Sequence, residues 1–190
     1  MPAIANASDL GVDFDPSLAV YVGPSGPWTL GYAFQDLTAT SVVGLGAWNN
    51  GIEGDVMVGL WDSGRNLLAS TTVNSSSTVV GTASWVFTPI TPVALTVGDT
   101  YYVGAYGAFN YTDTINPVTV APEISYLYNA WGVGFASPSG APDDNDHGFF
   151  GGNVQLAGGV PEPATWAMMG LGFLGAGAAM RRRRGVAAVA

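Results

Sequence analysis

The chain has no cysteine, no lysine and a single histidine, His147, in 190 residues. Without cysteine there is no disulfide framework, no thiolate metal site and no cysteine nucleophile. Without lysine a phosphate-binding loop of the Walker type cannot be built. One histidine excludes a metal centre with several imidazoles, and a Ser-His-Asp triad would have to form around His147 alone. No Gly-x-Ser-x-Gly elbow accompanies it, so His147 reads as a polar loop residue. Positive charge is scarce as well: four of the five basic residues are the run Arg181, Arg182, Arg183 and Arg184. Upstream of residue 160 thirteen acidic residues face one arginine, Arg65, a balance of −12. Such a surface repels polyanions, which excludes nucleic acid and an anionic membrane surface as partners of the body.

What is present is apolar and heavily punctuated. Hydrophobic residues make up 48% of the chain and aromatic residues 12%, too much for a disordered protein, while 27 glycines and 12 prolines interrupt every long run. Residues 28–34 alternate large and small side chains, and residues 56–61 are a nearly continuous apolar run of strand length. Further strands are expected at residues 41–48, 67–73, 84–88, 93–97, 100–106, 123–128 and 153–156. Asn49-Asn50-Gly51, Asp62-Ser63-Gly64 and Gly98-Asp99 supply turn chemistry between them. Residues 137–146 read as a loop. About nine short strands without a convincing helix before residue 164 predict an all-β fold, an antiparallel two-sheet β-sandwich of jelly-roll or immunoglobulin-like order. Trp28, Trp48, Trp61 and Trp85 fall inside strand patterns and are expected in its core.

Both ends of the sequence read as addresses. Ala5-Asn6-Ala7 before Ser8 has the small-x-small pattern of a secretory cleavage site, so residues 1–7 are expected to be the remnant of a signal peptide that starts upstream. Residues 8–158 then form the β domain. Residues 164–180 carry no charge, and as a helix they would span about 26 Å, close to the roughly 30 Å hydrocarbon core of a bilayer. Four arginines follow at once, which orients such a span with the arginines in the cytoplasm and the domain outside. Four glycines and five alanines among the seventeen residues make it a weak anchor. Just upstream, Val160-Pro161-Glu162-Pro163 holds two prolines that keep the backbone extended and accessible.

A Pro-Glu-Pro motif, a short apolar helix and an arginine cluster in that order resemble the PEP-CTERM sorting signal, here over residues 160–184, with residues 185–190 as a short tail beyond the usual pattern. The resemblance implies recognition by an exosortase-type membrane peptidase and cleavage near the motif. Transient membrane anchoring would then give way to delivery to the cell envelope or extracellular matrix. Two body segments, residues 58–69 and 95–103, more loosely resemble β-sandwich modules of secreted bacterial proteins, which implies a fold rather than an activity.

Three candidate sites remain in the body. Asp143, Asp144 and Asp146, with Asn145 between them, offer the hard oxygen ligands that calcium prefers, but the twelfth position of the loop begun by Asp144 is Gln155 rather than an acid. A calcium site and a solvated acidic loop therefore both stay open, and no other cofactor is implied. Tyr126, Tyr128 and Trp131, near Phe149 and Phe150, could offer aromatic faces to sugars; core packing is the competing use. Glu53, Asp55, Asp62 and Glu123 are the acids on strands or strand ends from which a carboxylate hydrolase would have to be assembled. No catalytic constellation is complete, so the expectation is a non-catalytic exported surface or matrix protein, with a module binding extracellular polysaccharide as the alternative. Calcium bound only to the folded chain raises its melting temperature by mass action. Melting curves with calcium and with chelator separate the two readings of the acidic loop, and identical curves leave the solvated loop.

Overall fold

The computed structural model describes residues 10–19, 21–113, 117–139, 148 and 150–157. All of them belong to the first of two units into which the chain divides, Met1–Gly158 and Gly159–Ala190. The expected apolar helix, the Pro-Glu-Pro segment, the arginine cluster and the N-terminal stub lie outside the described residues. No helix among the described residues is long and apolar enough to cross a membrane.

The described residues form thirteen strands: β1 (Val12–Phe14), β2 (Tyr21–Pro24), β3 (Trp28–Asp36), β4 (Ser41–Trp48), β5 (Val56–Asp62), β6 (Leu67–Val73), β7 (Thr78–Val80), β8 (Trp85–Ala94), β9 (Thr100–Tyr106), β10 (Asn110–Asp113), β11 (Val118–Val120), β12 (Ile124–Val133) and β13 (Gly152–Leu156). A five-stranded sheet runs β12-β3-β9-β5-β6 and a four-stranded sheet β13-β4-β8-β7, while β1-β11 and β10-β2 form two-stranded ribbons. Every pairing is antiparallel.

Residues 41–48, 67–73 and 100–106 are strands with the predicted bounds. The five strands not foreseen, β1, β2, β7, β10 and β11, have only three or four residues each, too few for a period of two to register. Prolines explain a different error. Residues 84–88 and 93–97 read as two strands because Pro89 and Pro92 separate them, yet β8 runs through both prolines. Gly44 pairs with Pro89 and Val42 with Val93, so residues 90–92 bulge opposite a single residue of β4. On its other side β8 is paired with β7 only as far as Phe87. Proline, which cannot donate to a ladder, is tolerated where, among the described residues, that side of the strand has no ladder partner.

One apolar cluster joins the inner faces of the two large sheets: Leu30, Tyr32, Phe34, Val58, Leu60 and Val103 from the five-stranded sheet meet Leu45, Ala47, Trp85, Phe87, Val154 and Leu156 from the four-stranded one. Phe14 is wedged among Trp48, Trp85 and Phe150 at centroid distances of 5.5, 5.6 and 5.2 Å. Burying side chains of this size contributes about 1.5–3 kcal/mol each. At Gly152 the sheets approach backbone to backbone: a Cβ there would stand 2.6 Å from the Gly104 carbonyl carbon, so only glycine fits.

The inner space also holds a polar knot. The Asn153 side chain accepts from the Tyr32 hydroxyl (2.8 Å) and the Val12 amide (3.2 Å), and donates to the Val12 carbonyl (2.8 Å). All three residues are buried, and burial raises the Tyr32 phenol well above its ordinary value. One amide thus acts as a peptide group for the inner edge of β1 and ties it to both sheets. Asn153→Ala leaves the Val12 amide and carbonyl unpaired, each costing about 1–3 kcal/mol, and takes one bond from the Tyr32 hydroxyl, whereas Tyr32→Phe costs about 1 kcal/mol. Urea denaturation is expected to show a loss of about 3 kcal/mol or more for the first and a clearly smaller one for the second.

Candidate ligand-binding cleft

Strand β12 decides which of the sequence-predicted aromatics can meet a ligand. It pairs with β3 as Tyr126 to Phe34, then Tyr128 to Ala33, with Leu127 squeezed out between them. A one-residue bulge exchanges the two faces of a strand. Tyr126 therefore shares the inner face with Phe34, and its ring packs on Tyr32 (5.4 Å) and Phe150 (6.0 Å). Tyr128 lies on the outer face, where its hydroxyl and that of Tyr102 are 3.0 Å apart. Partial burial, then the hydrogen bond and proximity of Tyr102, push Tyr128 up to about 12, against a smaller opposing effect of Arg65. Trp131 is back on the inner side, opposite Leu30, and is 37% exposed. The three residues predicted as one ligand set thus do not converge. Phe150 is fully buried in the core, and Phe149 lies outside the described residues.

The partner that Trp131 does have is Trp28. Trp48, Trp61 and Trp85 are buried as expected, but Trp28 is 37% exposed and not a core residue. It occupies the same alternating positions as Leu30, Tyr32 and Phe34, at the start of β3, where the inner face is no longer covered. The two indoles meet edge to face, with centroids 5.0 Å apart and planes at 89°. Together with Leu30, Tyr111 of β10 and the turn at Pro24 and Ser25, they line a cavity of about 260 Å³.

Local hydrogen bonds hold this geometry. The turn before β3 uses Gly26 at φ 61°, in the left-handed region. Buried Ser25 stitches the turn down: its amide donates to Phe109 O (2.9 Å) and its hydroxyl to Gly107 O (2.5 Å). Residues on either side of Trp28 are tied to Gly134, whose amide donates to Pro27 O (2.9 Å) and whose carbonyl accepts from the Thr29 hydroxyl. The Trp131 carbonyl accepts from the Ser139 amide (2.7 Å). Both tryptophans therefore stand on backbone fixed by residues 134–139. That segment is secured in turn by Arg65, which donates to Pro138 O (2.6 Å) and lies 4.7 Å over the Tyr102 ring. Phe135 packs on Trp61 (5.5 Å) and joins a second apolar cluster on the outer face of the five-stranded sheet.

A second cavity, of about 400 Å³, adjoins the first across Pro24, Ser25 and Gly26 and is lined on its far side by Glu53, Tyr106 and Asn110. Glu53 is exposed, and its amide is bonded to Ala108 O (3.0 Å). The other candidate acids are elsewhere. Asp55 accepts from the Asn74 amide group (3.1 Å), and Asp62 accepts from the Asn66 side chain and backbone, which hold it below the ordinary carboxylate range. Glu123 has a buried oxygen without a partner. Among the described residues no group of three or more histidine and acidic side chains could hold a metal; Asp143, Asp144, Asp146 and His147 lie outside them.

A body of antiparallel β-sheets with an uncovered aromatic cleft is what the described residues define. To it the chain adds a sorting address: residues 159–184 match the PEP-CTERM protein-sorting motif, which implies secretion, transient membrane anchoring and processing by exosortase, a membrane protein. No curated protein and no solved structure matches the chain.

Asp36 escaped the sequence reading. It ends β3 facing inward, is buried, and neither carboxylate oxygen has a hydrogen-bond partner. Desolvation raises its pKa above the ordinary 3.8. Because the folded state favours the protonated form, the contribution of Asp36 to stability is greatest below pH 3.8 and declines as the pH rises through its raised value. Asp36→Asn removes that decline. The variant is expected to gain stability relative to the parent between pH 4 and pH 7 in paired urea titrations; a constant difference across that range would contradict the assignment.

Proposed function

We infer that the chain is a non-catalytic protein of the cell envelope or extracellular matrix, built as an antiparallel β-sandwich that is exported, held briefly in the membrane by its tail and released by exosortase. The observation that carries this reading is the PEP-CTERM motif at residues 159–184, following a β body that ends in β13. Within the motif, the prolines at 161 and 163 disfavour a helix across the cleavage segment, the charge-free residues 164–180 suit a temporary span, and Arg181, Arg182, Arg183 and Arg184 favour the cytoplasmic face for its end. A structural or adhesive role suits the body. Asp55 and Asp62 are committed to Asn74 and Asn66, which leaves Glu53 without an acidic partner from that set in the cavity it lines.

Intact-mass measurement of the protein from producing cells tests the sorting reading. The mature form is expected to end near Pro163 and to lose Arg181 to Arg184, and deletion of the sorting peptidase is expected to leave the tail attached. Recovery of the arginine-bearing form from cytosol in peptidase-positive cells would overturn it.

A further inference from the structure

We propose that the cleft at the open end of the five-stranded sheet binds a neutral polysaccharide, with Trp28 and Trp131 as stacking surfaces and Glu53 and Asn110 as hydrogen-bonding partners for the sugar hydroxyls. The site belongs to the body alone and stands or falls independently of how the tail is processed.

Four observations select this occupant. First, Trp28 and Trp131 are each 37% exposed at a place where the alternation of β3 and β12 directs them to the core side. Two large indoles held edge to face at 5.0 Å form an apolar corner rather than a flat patch. The C–H face of a pyranose ring is apolar and its rim is polar, which matches an indole wall continued by hydrogen-bonding groups. Second, residues that carry such groups are present: the adjoining cavity across Pro24 and Ser25 is lined by Glu53, Tyr106 and Asn110. Asn110 is positioned by its bonds to Asn50, from its amide to Asn50 O (2.7 Å) and from its side chain to Asn50 Oδ1 (3.3 Å). Cavities of about 260 and 400 Å³ side by side suit a chain of sugar units better than one compact ligand.

Third, charge selects among glycans. The body carries thirteen acidic residues and one arginine, and Arg65 is occupied on the outer face by Pro138 and the Tyr102 ring. Among the described residues no lysine or arginine lines either cavity, so a sulfated or uronic polymer would meet Glu53 with no cation beside it to offset it. Fourth, the surface is pre-organised. The hydrogen bonds of Pro27, Thr29 and Trp131 to residues 134–139 hold the backbone that carries both indoles, and the indoles pack edge to face on each other before a ligand arrives, which lowers the ordering cost of binding.

The test is affinity electrophoresis of the full chain in mild detergent, through native gels containing hydroxyethylcellulose, glucomannan, galactan, alginate or dextran sulfate. Retardation by at least one neutral polymer and by neither charged one is expected. Trp131→Ala and Trp28→Ala should each weaken it about tenfold or more, as truncation of a central aromatic contact does, while Leu68→Ser on β6 leaves it unchanged. Unchanged melting temperatures would show that the variants fold. Should either tryptophan variant melt early, the unmodified chain supplies the readout: the retarding polymer's oligosaccharide is expected to shield indole fluorescence from acrylamide. Passage through every neutral gel, full retardation of Trp131→Ala, equal retardation by alginate or dextran sulfate, or capture of a proline-rich peptide without any sugar would each overturn the proposal.

Discussion

The Asn153 side chain is the constraint on which the interior depends. A strand of three residues, β1, has to enter a space bounded by two sheets, and its inner edge presents an amide and a carbonyl at Val12 that no neighbouring strand pairs. An unpaired peptide group in that position is expensive. One carboxamide from β13 supplies both missing bonds while taking a third from Tyr32 on β3. With the pairing of β1 to β11 and the bonds of the Asp13 carboxylate to the Thr82 and Ala83 amides, that side chain sets the position of β1 and so of Phe14 among Trp48, Trp85 and Phe150. Glycine at 152, next in sequence, lets β13 come close enough to β9 for the bonds to form.

Around this interior the five-stranded sheet is covered on both faces, but by different means. Its inner face meets the four-stranded sheet, whereas its outer face is covered in part by Phe135 and by residues 136–138 laid over Gly104 and Gly132. The body's one arginine clamps that segment, which explains how a nearly cation-free surface still uses a cation–π contact. Because the same segment anchors the backbone of Trp28 and Trp131, the outer layer and the cleft are mechanically one feature. The cleft itself exists because β3 and β12 extend past the cover of the opposite sheet. Their alternation continues, but the aromatic side chains that would have been core become surface.

Much of the fold is readable from residue order. The runs at 41–48, 56–61, 67–73 and 100–106 are long enough for period and composition to specify strands, and the turns at Asn50-Gly51 and Gly98-Asp99 lie between them. The short ribbons were not readable, since three residues carry no period, and Pro89 and Pro92 concealed a continuous strand whose exposed side tolerates them. The cleft was half legible. Trp131 is an aromatic near an expected loop, and Tyr126 and Tyr128 were grouped with it because they lie close by in the same late stretch of the body. The bulge at Leu127 separates them in space, and no local pattern announces it.

Composition and the tail determined, without any coordinates, that this is an acidic β-rich protein that cannot use thiolate, multi-histidine or Walker-type chemistry and that carries a sorting address. Those properties depend on which residues are present and on contiguous motifs, so they survive in one dimension. Which face each aromatic occupies, that Trp28 meets Trp131, that Asp36 is buried without a partner and that Asn153 completes β1 were decided only by the tertiary structure. Each depends on strand register or on the reach of one sheet over another, quantities set by pairing across distances of up to about 140 residues along the chain.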